Sequence, residues 1–71
     1  MDYAKLIGRE LSPERAKKAG DLIITLMRRR HVTIRELSHR MDVSMSRIRR
    51  VRNCGPETEL IYMDYKRAII S

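Results

Sequence analysis

An all-α fold, a small bundle of four to five helices, is predicted by three observations on this 71-residue chain. Helix-start chemistry stands at Ser12-Pro13-Glu14, at Thr33 with Glu36 three residues on, and at Ser44. Behind each start, apolar residues recur at the three- and four-residue spacing of a helix with one buried face. The breaks between these runs are short and carry turn residues, Asp42 in one and Asn53-Cys54-Gly55-Pro56 in another. A chain of this length has room for one domain, residues 1–71, with one modest core.

The first eleven residues, MDYAKLIGREL, carry Tyr3, Leu6, Ile7 and Leu11 at helical spacing, interrupted by Gly8. Three readings stay open for this segment: a short helix capping the core, a dimer contact, or an arm that touches DNA through Lys5 and Arg9. At Ser12 a helix begins, with Ser as N-cap, Pro at the first helical place and an acid in the first turn. It is expected to run to about Arg30. Its apolar stripe is Ala16, Ala19, Leu22, Ile23, Leu26 and Met27, with Ile24 off the stripe and Gly20 a close-packing point or a weakness. Arg28, Arg29 and Arg30 close it, where cations suit the negative end of the helix dipole.

Residues 33–53, TIRELSHRMDVSMSRIRRVRN, are expected to form two short helices joined by a tight turn. Thr33 and Glu36 have capping-box spacing, so the hydroxyl takes an orphan N–H and the carboxylate returns to the Thr33 amide. Leu37 and Met41 share a buried face, and Asp42 stands where the chain reverses, as one of the few non-glycine residues that tolerates a left-handed backbone. Val43 plugs the corner, Ser44 caps the second helix, and Ile48 and Val51 form that helix's buried stripe. After it, Gly55 fits a left-handed C′ position and Pro56 a first helical residue, giving a last helix over 56–70. Leu60, Ile61, Tyr65, Ala68 and Ile69 make that helix's apolar side. Tyr62, Met63 and Ile70 extend apolar character around it, more than a terminal helix of a small monomer needs.

The net charge of +7 is localised. Nine arginines against Glu36 and Asp42 lie between Arg28 and Arg52, a balance of +7, whereas seven cations and seven anions cancel elsewhere. A localised excess of this kind favours a polyanion through counterion release. Other classes fare worse. A single cysteine, Cys54, leaves no internal disulfide, so a reducing, cytoplasmic setting is expected. No apolar run approaches a membrane span. His31, His39 and Cys54 lack paired metal-ligand spacing, so neither metal nor cofactor is expected. There is no nucleophile–base pair, carboxylate dyad or phosphate-cradling glycine loop, so no enzyme activity is expected.

The stretch 34–53 resembles the helix-turn-helix of the Cro and phage-repressor (XRE-type) family. That pattern asks for an aliphatic fourth residue, a small fifth, a glycine or near equivalent ninth, and aliphatics at the tenth, fifteenth and eighteenth places. Leu37, Ser38, Asp42, Val43, Ile48 and Val51 stand there, and Gly55 matches a closing glycine. Asp42 replaces the usual turn glycine, and Ser38 the commoner alanine at the helix–helix contact. The resemblance spans roughly residues 22–69 and is specific in its central unit. It implies a lambda-repressor-like bundle whose helix 45–53 enters the major groove of double-stranded DNA.

On that implication Ser44, Met45, Ser46, Arg49 and Arg50 are the base-reading candidates, with Arg50 the best placed for bidentate bonding to guanine. Arg30, Thr33, Arg35, His39, Arg47 and Arg52 are the phosphate candidates. A one-residue rotation of the helix exchanges roles among the arginines, and Arg49 has a phosphate contact as its alternative. Leu60, Ile61, Tyr65 and Ile69 are the expected dimer contacts, with simple closure of the chain's own core as the alternative for the same apolar side. The expected function is a sequence-specific transcriptional regulator, a homodimeric repressor of a partly palindromic operator in a phage, plasmid or toxin–antitoxin setting. Neither a membrane nor a small-molecule partner is expected. The alternative is a protein-interaction module, such as an antitoxin or an inhibitor of a toxin or nuclease, with DNA binding secondary.

Overall fold

Four helices, α1 (Pro13–Arg30), α2 (Ile34–Met41), α3 (Met45–Cys54) and α4 (Glu59–Ile70), make up the fold in the computed structural model, which describes residues 10–71. Each starts on a side-chain oxygen that accepts an orphan backbone N–H. Ser12 takes Arg15, Thr33 takes Glu36, Ser44 takes Arg47 and Thr58 takes Ile61. The expected starts at Ser12, Thr33 and Ser44 are therefore the observed ones. The capping box at Thr33 is half made, because the Glu36 carboxylate turns to Arg40, 3.6 Å away, one turn along α2. α1 ends on His31 in the left-handed region (φ 55°), with Val32 N–H reaching back to the Met27 carbonyl at 2.9 Å.

The core collects one stripe from each helix. Ile23, Met27, Leu37, Ile48, Val51, Tyr65 and Ile69 are buried together with Val32 from the α1–α2 corner. α1 packs on α3 and α4, and α2 packs on the same pair from the other side. Leu22, expected on the α1 stripe, is 53% exposed instead. The buried face is rotated toward Ala16, Ala19, Gly20, Ile23 and Met27 because α3 comes in close over the small residues. A Cβ on Gly20 would stand 3.0 Å from the Val51 carbonyl oxygen, so backbone meets backbone there.

The last helix starts at Glu59, not at Pro56. Pro56 is fully buried in the connection, and the segment is held extended. Leu11 N–H donates to the Glu57 carbonyl at 3.1 Å, and Glu10 pairs with Thr58 as an isolated antiparallel bridge. That bridge brings the chain before α1 beside the start of α4 and leaves Thr58 as the cap. The expected N-terminal helix or arm lies outside the described residues up to residue 9, and at Glu10–Leu11 the chain is not helical.

Candidate nucleic-acid interface

The turn between α2 and α3 is fastened by one side chain. Asp42 is left-handed (φ 55°, ψ 45°), which reverses the chain in three residues. The Ser38 hydroxyl donates to the Val43 carbonyl at 2.6 Å, and the Ser38 carbonyl accepts the Val43 N–H at 3.3 Å. An alanine at that place would pack as closely but could not make the first bond. Ile48 and Leu37, both fully buried, lock the two helices together beneath the turn.

With Ile48 and Val51 facing inward, helical geometry decides what faces out. Ser46, Arg49, Arg50 and Asn53 recur at i, i+3, i+4 and i+7 and form one exposed stripe along α3. Three of them were base-reading candidates. Asn53 is added by the helix register: its side chain offers a donor and an acceptor together, as adenine recognition requires. Ser44 is exposed at the head of the helix, with its hydroxyl oxygen occupied by the Arg47 N–H. Met45, 37% exposed, sits one turn before Arg49 on the flank of the stripe.

Cations border the stripe on both sides. Arg52 is half-buried on one flank and lines a depression of about 600 Å³ with Arg28, His31 and Thr33, beside the start of α2. Its Nε is buried and has no hydrogen-bond partner among the described residues. Arg28, a helix-end cation in the sequence, is brought here by the α1–α2 corner. On the other flank Arg47 and Arg50 line a cleft of about 410 Å³ with Ser44, Ser46, Glu57 and Ile61. Arg35 and His39 are exposed one turn apart on α2, and Arg30 is exposed at the end of α1.

The nine arginines are not equivalent. Arg40 pairs with Glu36 and also donates to the Ala68 and Ile69 carbonyls, at 3.0 and 3.3 Å, tying α2 to the end of α4. It is spent on the fold. Behind Arg47 stands Tyr65, whose buried hydroxyl has no partner among the described residues. Burial pushes the Tyr65 phenol above its usual range, and the Arg47 charge offsets part of that rise.

Two of the expected dimer contacts are corrected here. Tyr65 and Ile69 are 3% and 1% exposed, so they belong to the core and present no surface. They fall there because α4 turns its i, i+4 pair toward α1 and α2. Ile61 is half-buried with them, and Leu60 is exposed. Among the described residues no three of His, Cys, Asp and Glu gather as a metal site would require. No described helix is long and apolar enough to cross a membrane. Comparisons with family models, with curated proteins and with solved structures each return no match to the chain.

Proposed function

We propose that the chain is a sequence-specific binder of double-stranded DNA, a cytoplasmic transcriptional regulator of the Cro and phage-repressor kind that acts as a homodimer on a two-fold-symmetric operator. The observation that carries this reading is the α3 surface. A polar stripe of Ser46, Arg49, Arg50 and Asn53 runs between two cation-lined edges, Arg28 and Arg52 on one side and Arg47 on the other. A major groove has that pattern in negative: base edges in the middle and a phosphate strand on either side. The capped, short helix held against a second by a tight turn is the shape that presents such a stripe.

In this reading Arg50 and Asn53 read base edges, Ser46 and Met45 refine the choice, and Arg49 works at the border of the two roles. Arg47, Arg52, Arg35 and His39 hold phosphates, with Thr33 and Arg30 at the corner beside them. A protein-interaction module is the second reading, and it draws on the exposed apolar side of α4.

Selection of bound duplexes from a random library, for wild type and Arg50→Ala at two salt concentrations, tests the proposal. A two-fold-symmetric motif is expected. Arg50→Ala should weaken binding by about 1–3 kcal/mol and lose information at one base pair per half-site. Salt-sensitive binding with no enriched sequence would sink the regulator reading.

A further inference from the structure

We infer that Glu57 is a positioning residue for base reading: in the complex its carboxylate holds the Arg50 guanidinium against guanine, and it weakens binding to every other sequence. This rests on the DNA reading above and names the residue that sets its selectivity. Two depressions flank α3, and Glu57 is the one acid that lines either of them. The charged groups around its cleft of about 410 Å³ are Arg47, Arg50 and Glu57 itself. Backbone contacts fix Glu57 in that place. Pro56 before it is fully buried, Thr58 after it caps α4 and pairs with Glu10, and the Glu57 carbonyl accepts the Leu11 N–H. The side chain is left exposed, and none of those contacts uses its carboxylate.

An acid is out of place on an edge that faces phosphates. A carboxylate beside a phosphate strand repels it on every sequence, so an acid held there has to gain something at the bases. Arg50 is where it does. Arg50 is the one cation that belongs both to the outward stripe and to this cleft; Arg49 is on the stripe alone, and Arg47 is in the cleft alone. A guanidinium is a flat fork with several donors, and guanine O6 and N7 occupy only one edge of it. The other edge turns back toward the cleft, where a carboxylate completes a charge-assisted pair. In the protein by itself Glu57 makes no ion pair with either arginine; the ion pair among the described residues is Glu36 with Arg40. In a cleft open to solvent such a pair gains little over hydration. A duplex lying over α3 closes the cleft, and the same pair strengthens as the local dielectric falls. Holding Arg50 at that moment offsets the freedom a long side chain gives up when it is ordered. With the wrong base in the groove the fork has no second partner, and the repulsion stands alone.

Selection of bound duplexes by the full chain tests this with Glu57→Gln, Arg50→Ala and the double variant. Each is then titrated with the selected duplex, with one whose guanine is replaced, and with one lacking the motif. Glu57→Gln keeps the side chain's size and the backbone contacts, so circular dichroism should match wild type. The expected changes have opposite signs. Binding to the duplex lacking the motif should rise about two- to fivefold, and the preference for guanine at the Arg50 position should fall about five- to tenfold. In the Arg50→Ala background Glu57→Gln should leave base preference unchanged, because the group it positions is gone. A wild-type motif that Glu57→Gln leaves intact, with affinity raised evenly, makes Glu57 a screening charge and overturns this inference alone. A preference lost equally with and without Arg50 means that the carboxylate touches the base itself, and overturns the positioning role. Wild type with no enriched motif overturns the DNA reading, and this inference with it.

Discussion

α3 and α4 are neighbours in sequence, of similar length, and each has only two buried residues, Ile48 and Val51 in one, Tyr65 and Ile69 in the other. Their spared faces differ completely. α3 turns out Ser46, Arg49, Arg50 and Asn53; α4 turns out Leu60, Met63, Arg67 and Ile70. Folding asks the same thing of both helices, a narrow apolar stripe, and leaves the remaining surface to whatever else the chain must meet. A polar, cation-bordered face fits a polyanion, and an apolar face with charges at its ends fits another protein surface. The contrast teaches that the buried stripe of a small helix says little about its partner, and the stripe opposite says most.

The comparison holds only while the two helices keep their angle, and Gly55 is the joint that sets it. Gly55 has φ 90°, a conformation that costs any L side chain strain, and a Cβ there would overlap the Ala16 carbonyl of α1. Both atoms that would clash belong to backbone, so no rotamer relieves them. Gly55→Ala is expected to destabilise the fold by at least about 3 kcal/mol, a large share of what a chain this size has. Urea unfolding followed by circular dichroism reads this directly. A midpoint within error of wild type would show that α1 and the α3–α4 connection do not meet as closely as described.

How much of this was legible in the residues varies by element. The caps at Ser12, Thr33 and Ser44 and the left-handed Asp42 depend on chemistry within four residues, and they are read correctly from local sequence. Pro56 is misread for the opposite reason. Gly-Pro followed by acids is a sound helix start locally, but the antiparallel contact of Glu10–Leu11 with Glu57–Thr58, nearly fifty residues apart, keeps the segment extended. Leu22 and Tyr65 are exchanged in role, one expected inside and found outside, the other expected at a surface and found in the core. On a helix with apolar residues on several sides, periodicity alone does not choose the buried one; the packing of α3 over Ala16, Ala19 and Gly20 chooses it. Asn53 could have been found from the i+7 spacing with Ser46.

Arg40 sharpens the contrast between arginines that serve the fold and those that serve a partner. Arg40→Met keeps the aliphatic stem and removes the bonds to the Ala68 and Ile69 carbonyls. The Ala68 oxygen keeps the Ser71 hydroxyl at 3.0 Å, and Arg40 is partly exposed, so the loss should be modest, about 1 kcal/mol. If the chain binds DNA as proposed, the salt slope of that binding should stay unchanged in Arg40→Met, while Arg52→Met lowers it by about one. An Arg40→Met slope that falls as far as the Arg52→Met slope would move Arg40 to the DNA face.

The smallest expected effect lies between the two helices, at Tyr65. Its hydroxyl is buried without a partner among the described residues, and a group left so costs stability that a hydrogen atom in its place does not. Tyr65→Phe keeps the ring among Ile23, Ile48 and Ile69 and is expected to be neutral or to stabilise by up to about 1 kcal/mol at neutral pH. The sign with pH follows from the raised phenol, whose first cause is burial, with Arg47 opposing it. Below about pH 10 the phenol keeps its proton folded or unfolded, and stability does not depend on it. Above that, the unfolded chain releases the proton first, so wild type loses stability as pH climbs toward the higher folded value. Tyr65→Phe lacks this loss, and the gap between the two proteins should widen in alkali. Unfolding curves at neutral pH and above pH 10 measure the gap. A gap that stays constant would mean that Tyr65 ionises as easily in the fold as out of it, and that the space between α3 and α4 is open to water.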